Sequence, residues 1–143
     1  DGEEITNDQI LELEVDVLVP AALENVITVD NADRLSTKLI LEMANGPITP
    51  EADEILFKKG ITVIPDILAN GGGVTVSYFE QVQNASSYYW EENEVVTKLE
   101  KYMNQAYAGV DGLKDKYQTD YRTASYILAL ERVAEAMRLR GIS

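Results

Sequence analysis

The stretch "PDILANGGGVTVSYFEQVQN", Pro65 to Asn84, decides how this chain is read. An apolar run, Ile61 to Leu68, meets Ala69 and Asn70 and then three consecutive glycines, Gly71 to Gly73; an amphipathic segment follows. Glycine inside an element costs roughly 0.5–1 kcal/mol relative to alanine. Three in a row therefore demand a tight turn, or a group that approaches the backbone closely.

Working upstream, the run "ITVIPDIL" (61–68) is the last of three. "VDVLVP" (15–20) and "KLILEMA" (38–44) share its length and its Val, Ile and Leu content. Short, β-branched and almost continuously apolar, they predict strands buried on both faces. Helical patterns separate them. "TNDQILEL" carries a Thr6/Gln9 capping-box spacing, and "ENVITVDNADRLS" (24–36) reads as a helix or helical turn. "TPEADEILFKKG" has Thr49 as N-cap, Pro50 in the first helical position, acids in the first turn, Lys58 and Lys59 in the last and Gly60 as stop. Alternating strands and helices predict βαβ units and a parallel sheet.

Downstream of about residue 85 the pattern becomes all helix. Val96, Leu99, Met103, Ala106, Val110, Leu113 and Tyr117 form one apolar stripe, weakened by Gly109 and Gly112. Asp120 then caps a last helix with Ile127, Leu130, Ala134 and Met137 on one side and Gly141 as its stop. The expected organisation is a single α/β domain over 1–143, a βαβαβ unit in 1–85 followed by two long helices in 86–143. Nothing upstream is suited to pair with strand 15–20, so that strand is expected to leave a bare edge.

Composition narrows the function. The 143 residues are 45% hydrophobic and 26% charged, which suits one soluble globular domain. No apolar run reaches the roughly 20 residues of a membrane span, and no signal-peptide pattern is visible. The chain opens on Asp1 and reads as a processed or excised segment. Without cysteine it forms no disulfide, which fits the cytoplasm. Without histidine, His-based triads, proton relays and the usual zinc sites are excluded. A net charge of −13 argues against nucleic acid as a partner. The charge is uneven, with residues 1–60 holding 14 acids and 4 bases.

The glycines are no dinucleotide fingerprint, since GxGxxG from Gly71 or Gly72 requires glycine where Val76 and Ser77 stand. Even so, Asn70 to Gly73 falls between a parallel strand and a helix, on the sheet edge where open α/β folds bind ligands. "PAALEN" (20–25) and "ANGPITP" (44–50) occupy the equivalent edge, each with a small residue beside an amide. A planar ring or a ribose suits them. An ordinary turn at Asn45-Gly46-Pro47 and a helix start at Asn25 serve equally well for each loop taken singly. The acid pairs Glu3/Glu4 and Glu91/Glu92 read as solvated helix starts. Asp66, behind Pro65, is expected to be partly buried. The eight tyrosines read as packing groups, and no nucleophile–base pair or metal-ligand cluster is present.

Taken together, "VDVLVPAALENVI", "ANGPITPEADEIL", "PDILANGGGVTVSYFEQVQN" and "YRTASYILALERVAEAMRLRG" resemble the C-terminal, cofactor-binding domain of the glutamate dehydrogenase family, with its leucine, phenylalanine and valine relatives. The resemblance covers nearly the whole chain. It implies the three-stranded parallel half of a Rossmann-like doubly wound sheet, followed by the C-terminal helices. It also implies reversible oxidative deamination of L-glutamate to 2-oxoglutarate and ammonia, with NAD or NADP as cofactor.

On that resemblance Asn70 binds the nicotinamide carboxamide, Asn45 contacts the nicotinamide ribose, and Ala21 and Ala22 line the cofactor cleft. Val74 and Ser77 face the substrate side chain. The family's substrate domain, catalytic lysine and aspartate, and glycine fingerprint have no counterpart in this chain. The isolated chain is therefore expected to be inactive and to bind cofactor weakly or not at all. Its implied partners are the missing N-terminal part of the enzyme and, in the full protein, a homohexamer. Alone it is expected to self-associate through strand 15–20 or to cover that edge with its own N-terminal segment. Departures from the family pattern are Gly71 for alanine, Gln81 for tryptophan and Met43 for a small residue. They leave an alternative, a non-catalytic binding or assembly module, and a leucine, phenylalanine or valine dehydrogenase segment is a third reading.

Overall fold

The computed structural model describes residue 2 and residues 4–142. Asp1 and Glu3 therefore lie outside the described residues; Glu4 is exposed ahead of the first helix. The chain forms two compact units, 1–69 and 70–143.

The first unit is built on a three-stranded parallel sheet, β1 (Val15–Leu18), β2 (Thr37–Leu41) and β3 (Thr62–Ile64), in the order β1-β2-β3. Leu18 lies opposite Ile40 and Ile40 opposite Val63. These three residues turn one face of the sheet towards a core of Ile27, Leu35, Ile48, Ala52, Leu56 and Ile61. Ahead of the sheet, α1 (Asn7–Leu11) starts with the expected capping box: Thr6 Oγ1 accepts the Gln9 N–H, and Gln9 Oε1 accepts the Thr6 N–H. Between β2 and β3, α2 (Pro50–Lys58) begins at Thr49, whose hydroxyl accepts the Ala52 N–H, and ends at Gly60 with φ +75°.

Three expectations for this unit are corrected. Residues 24–36 are not a helix. Asn25 sits at φ +50°, Ile27 forms a parallel bridge with Ile48, and only Ala32–Arg34 make a 3-10 turn. Side chains have taken over the backbone partners: Asn31 Oδ1 accepts the Thr28 N–H, Asn31 Nδ2 donates to the Val26 carbonyl, and Thr28 Oγ1 accepts the Asp30 N–H. The run 61–68 is not one strand. Pro65 has no N–H to continue the ladder, and a short helix, α3 (Asp66–Ala69), follows it. Nor are the strands fully buried on both faces: side chains alternate across a sheet, and while Ile40 is buried, Leu39 and Leu41 on the other face of β2 are only half-buried. Val17, facing away from the core, is 48% exposed.

The second unit consists of α4 (Gly71–Ser86), α5 (Glu92–Tyr117) and α6 (Tyr121–Leu139). Phe79 of α4 is buried between Trp90 and Tyr102, with ring centroids 5.6 and 5.7 Å away, and this aromatic cluster seats α4 on α5. Asp120 caps α6 as expected, accepting the Thr123 N–H at 2.7 Å. Tyr107 and Tyr121 stack across the α5–α6 seam, and the Tyr121 hydroxyl donates to Asp111 at 2.7 Å. Burial first, and then the bonds to Tyr107 and Asp111, push the Tyr121 hydroxyl pKa up. Both apolar stripes fall on the expected helices, but their ends are exposed: Val96 and Tyr117 on α5, and Leu130, Ala134 and Met137 on α6. Among the described residues no helix is long and apolar enough to cross a membrane.

Candidate functional site

The candidate residues fall on two surfaces, one in each unit. In the first, the sequence after β1 and the sequence after β2 are tied into one loop platform. The Pro20 carbonyl accepts the N–H groups of Met43 (3.1 Å) and Ala44 (2.9 Å). The Gly46 carbonyl accepts the Asn25 N–H at 2.8 Å, and Pro47 accepts from Ile27 at 2.9 Å. Four positions of the second loop, Met43, Ala44, Gly46 and Pro47, are thereby fixed against the first. Ala21, Ala22 and Asn45 are all exposed on this platform, while Pro20, Ala44 and Pro47 are buried.

Two carboxylates support the platform. Glu42, completely buried at the end of β2, accepts the Asp66 N–H through Oε2 at 2.7 Å. Asp66 in turn accepts the Gly46 N–H through Oδ2 at 2.8 Å. Partial burial of Asp66 was legible behind Pro65, and it is half-buried. Glu42 was missed. The signal was a single charge inside the otherwise apolar run "LILEMA", which is expensive to bury and so needs a partner.

In the second unit, Asn70, Val74 and Ser77 follow one another at i, i+4 and i+7 and so share a face of α4. Val74 is 71% exposed, and Ser77 is exposed with it. The opposite face, with Phe79, packs inside the unit. The three glycines do not form the tight turn that was one of the two expectations for them; they make the first turn of α4. None has positive φ. A Cβ on Gly72 would reach Leu99 and Met103 at ordinary contact distances of 3.8 and 3.9 Å; on Gly71 or Gly73 it would meet nothing within 4 Å among the described residues. Neither a turn nor internal packing requires those two glycines.

Both surfaces set side-chain amides beside small residues. Amides present a donor and an acceptor each, as the edge of a carboxamide or a sugar hydroxyl pair requires. Exposed methyls and bare glycine backbone suit a flat ring. No group of three or more His, Cys, Asp or Glu among the described residues is placed to hold a metal ion.

Comparison with known proteins converges on one family. Residues 1–141 match the family described as Glutamate/Leucine/Phenylalanine/Valine dehydrogenase. The chain is 58% identical over 141 residues to the glutamate dehydrogenase of Thermotoga maritima, covering 99% of this chain and 34% of that protein. It is 49% identical over 139 residues to the NAD-specific glutamate dehydrogenase of Staphylococcus aureus, covering 97% and 34%. Among solved structures, the hetero-hexameric glutamate dehydrogenase of Thermus thermophilus in its Leu-bound form superposes with a TM-score of 0.93 at 35% identity, over 98% of this chain and 34% of that one. The chain thus spans about a third of the length of the relatives it matches.

Proposed function

This chain belongs to the Glutamate/Leucine/Phenylalanine/Valine dehydrogenase family, and on that footing we propose that it supplies the nicotinamide side of the cofactor domain in a glutamate dehydrogenase. The activity of the whole protein is then the reversible NAD(P)-dependent oxidative deamination of L-glutamate. The observation that carries this reading is the α4 surface. It combines a half-buried Asn70 with exposed Val74 and Ser77, beside two glycines at which a Cβ would meet nothing within 4 Å among the described residues.

The residues fit a nicotinamide cofactor, which when bound supplies the hydride acceptor. Asn70 pairs its amide with the carboxamide and so fixes which face of the ring is presented. Asn45 hydrogen-bonds the adjoining ribose, while Ala21 and Ala22 give the cofactor an apolar wall. Bare backbone at Gly71 and Gly73 lets ring and substrate lie close to the helix. Val74 and Ser77 meet the substrate side chain, where the Ser77 hydroxyl donates to a glutamate carboxylate. A binding surface of this kind acts by orientation and not by proton transfer.

The same reading treats 1–85 as half of the cofactor domain and 86–143 as its C-terminal helices. It takes the N-terminal part of the enzyme as the principal partner, a homohexamer as the assembly and the cytoplasm as the setting. The isolated chain is proposed to be inactive. It is also proposed to bind cofactor weakly, and to self-associate through the open edge of β1.

The test is the protein encoded by the whole reading frame that carries this chain. It is expected to reduce NAD or NADP with L-glutamate. Ser77→Ala is expected to raise KM for glutamate more than KM for the cofactor. No glutamate turnover by the wild-type protein overturns the reading.

A further inference from the structure

Glu42 is wholly buried just past the end of β2. Burying a carboxylate carries a large desolvation cost before its partners are counted, and an apolar side chain would fill the end of β2 at lower cost. What the acid does is visible in the bonds it starts. Glu42 Oε2 accepts the Asp66 N–H at 2.7 Å, which fixes the first residue of α3 relative to β2. Asp66 then directs Oδ2 at the Gly46 N–H, 2.8 Å away, while its Oδ1 accepts the Ile67 N–H. Gly46 holds φ +55° and passes its own carbonyl to the Asn25 N–H.

Asn45 lies between two clamped segments. On its N-terminal side Met43 and Ala44 donate to Pro20; on its C-terminal side Gly46 donates to Asp66. We propose that Glu42 and Asp66 form a two-carboxylate relay that positions Asn45 for the ribose of the nicotinamide cofactor. Neither residue touches the cofactor: Asp66 acts through Gly46, and Glu42 acts through Asp66. Both are positioning residues. The proposal rests on the glutamate dehydrogenase reading above and assigns the buried acid a role in it.

The experiment uses the enzyme from the whole reading frame, with cofactor KM, glutamate KM and thermal unfolding measured together, and NADH binding followed by its fluorescence. Wild-type turnover of glutamate is the control, and its absence sinks the underlying reading and not the relay. Asp66→Ala removes the acceptor from Gly46 and is expected to raise the cofactor KM and the NADH Kd about tenfold, with glutamate KM little changed. Asp66→Asn keeps a carbonyl oxygen for the Gly46 N–H and is expected to recover most of that loss. Glu42→Gln, which keeps an acceptor for Asp66, is expected to behave like wild type, and Glu42→Leu like Asp66→Ala. Because Glu42→Leu strains a buried site, the Asp66 pair decides. A fall in melting temperature with cofactor KM unchanged in Asp66→Ala overturns the relay, as does an equal loss in Asp66→Ala and Asp66→Asn.

Discussion

Gly109 of α5 faces Leu128 of α6 so closely that a β-carbon on the glycine would lie 3.2 Å from a leucine methyl. That separation is shorter than an ordinary carbon–carbon contact, so the glycine sets how near the two helices approach. Gly112, one turn on, is exposed and has no such neighbour among the described residues. The two glycines look alike in the sequence but do different things.

Gly112→Ala is accordingly expected to stabilise the second unit by about 1 kcal/mol, the helix-propensity difference between the residues. Gly109→Ala gains the same propensity but must displace Leu128, and its net gain is expected to be smaller or negative. Urea unfolding of both variants is the check. Equal gains would mean that Leu128 yields freely and that the close approach has no energetic consequence.

Asp120 governs the start of α6. Burial acts to raise its pKa, but hydrogen bonds from the Thr123 backbone and hydroxyl, with further help from Thr119, outweigh it and hold the group below the ordinary carboxylate value. A depressed native pKa contributes stability that is present above the unfolded-state pKa and disappears as pH falls through the native one. The pH dependence of unfolding below about pH 4 should therefore flatten in Asp120→Asn. Asp120→Ala should lose about 1 kcal/mol at neutral pH through loss of the cap. An unchanged acid limb in Asp120→Asn would remove Asp120 from the account.

Lys59 closes the 3-10 turn of the first unit. Its ammonium donates to the carbonyls of Ala32, Asp33 and Leu35, the last at 3.0 Å. Lys59→Met keeps an unbranched side chain only one atom shorter and deletes all three bonds. The expected cost is about 1–2 kcal/mol, since bonds to a charged group are stronger than neutral ones. Faster amide exchange should be confined to residues 32–36. Exchange that rises evenly through the whole unit would point to general destabilisation instead.

β1 pairs only with β2 among the described strands, so its outer edge has no partner there, and Val17 and Val19 beside it are 48% and 46% exposed. An apolar open edge invites another strand. The chain alone should show concentration-dependent association in sedimentation, and Val17→Lys should suppress it. A monomer at every concentration, with wild type and variant alike, would show that the edge is protected in some other way.

Local chemistry was legible wherever a few neighbouring residues satisfied the backbone by themselves. Thr6 with Gln9, Thr49 with Pro50, and Asp120 each mark a helix start, because an N-terminal N–H is met by a side chain within three positions. The parallel order of strands and the glutamate dehydrogenase resemblance followed from the same short motifs. Residues 24–36 misled, since the apolar spacing of a helix was present but Asn31 and Thr28 spend their side chains on the backbone of a turn. Residues 61–68 misled as well, because apolarity continues through Pro65 although the hydrogen-bond ladder does not.

The sequence by itself determined where α1, α2 and α6 begin, the parallel order of the strands, and the family to which the chain belongs: these depend on interactions a few residues long, or on motifs readable in order. Tertiary structure alone decided what Glu42, Asp66 and Gly109 are for. Their partners lie 24, 20 and 19 positions away. A buried carboxylate, a clamped loop and a close helix crossing are defined by what the fold brings to them, and no periodicity in the chain records that.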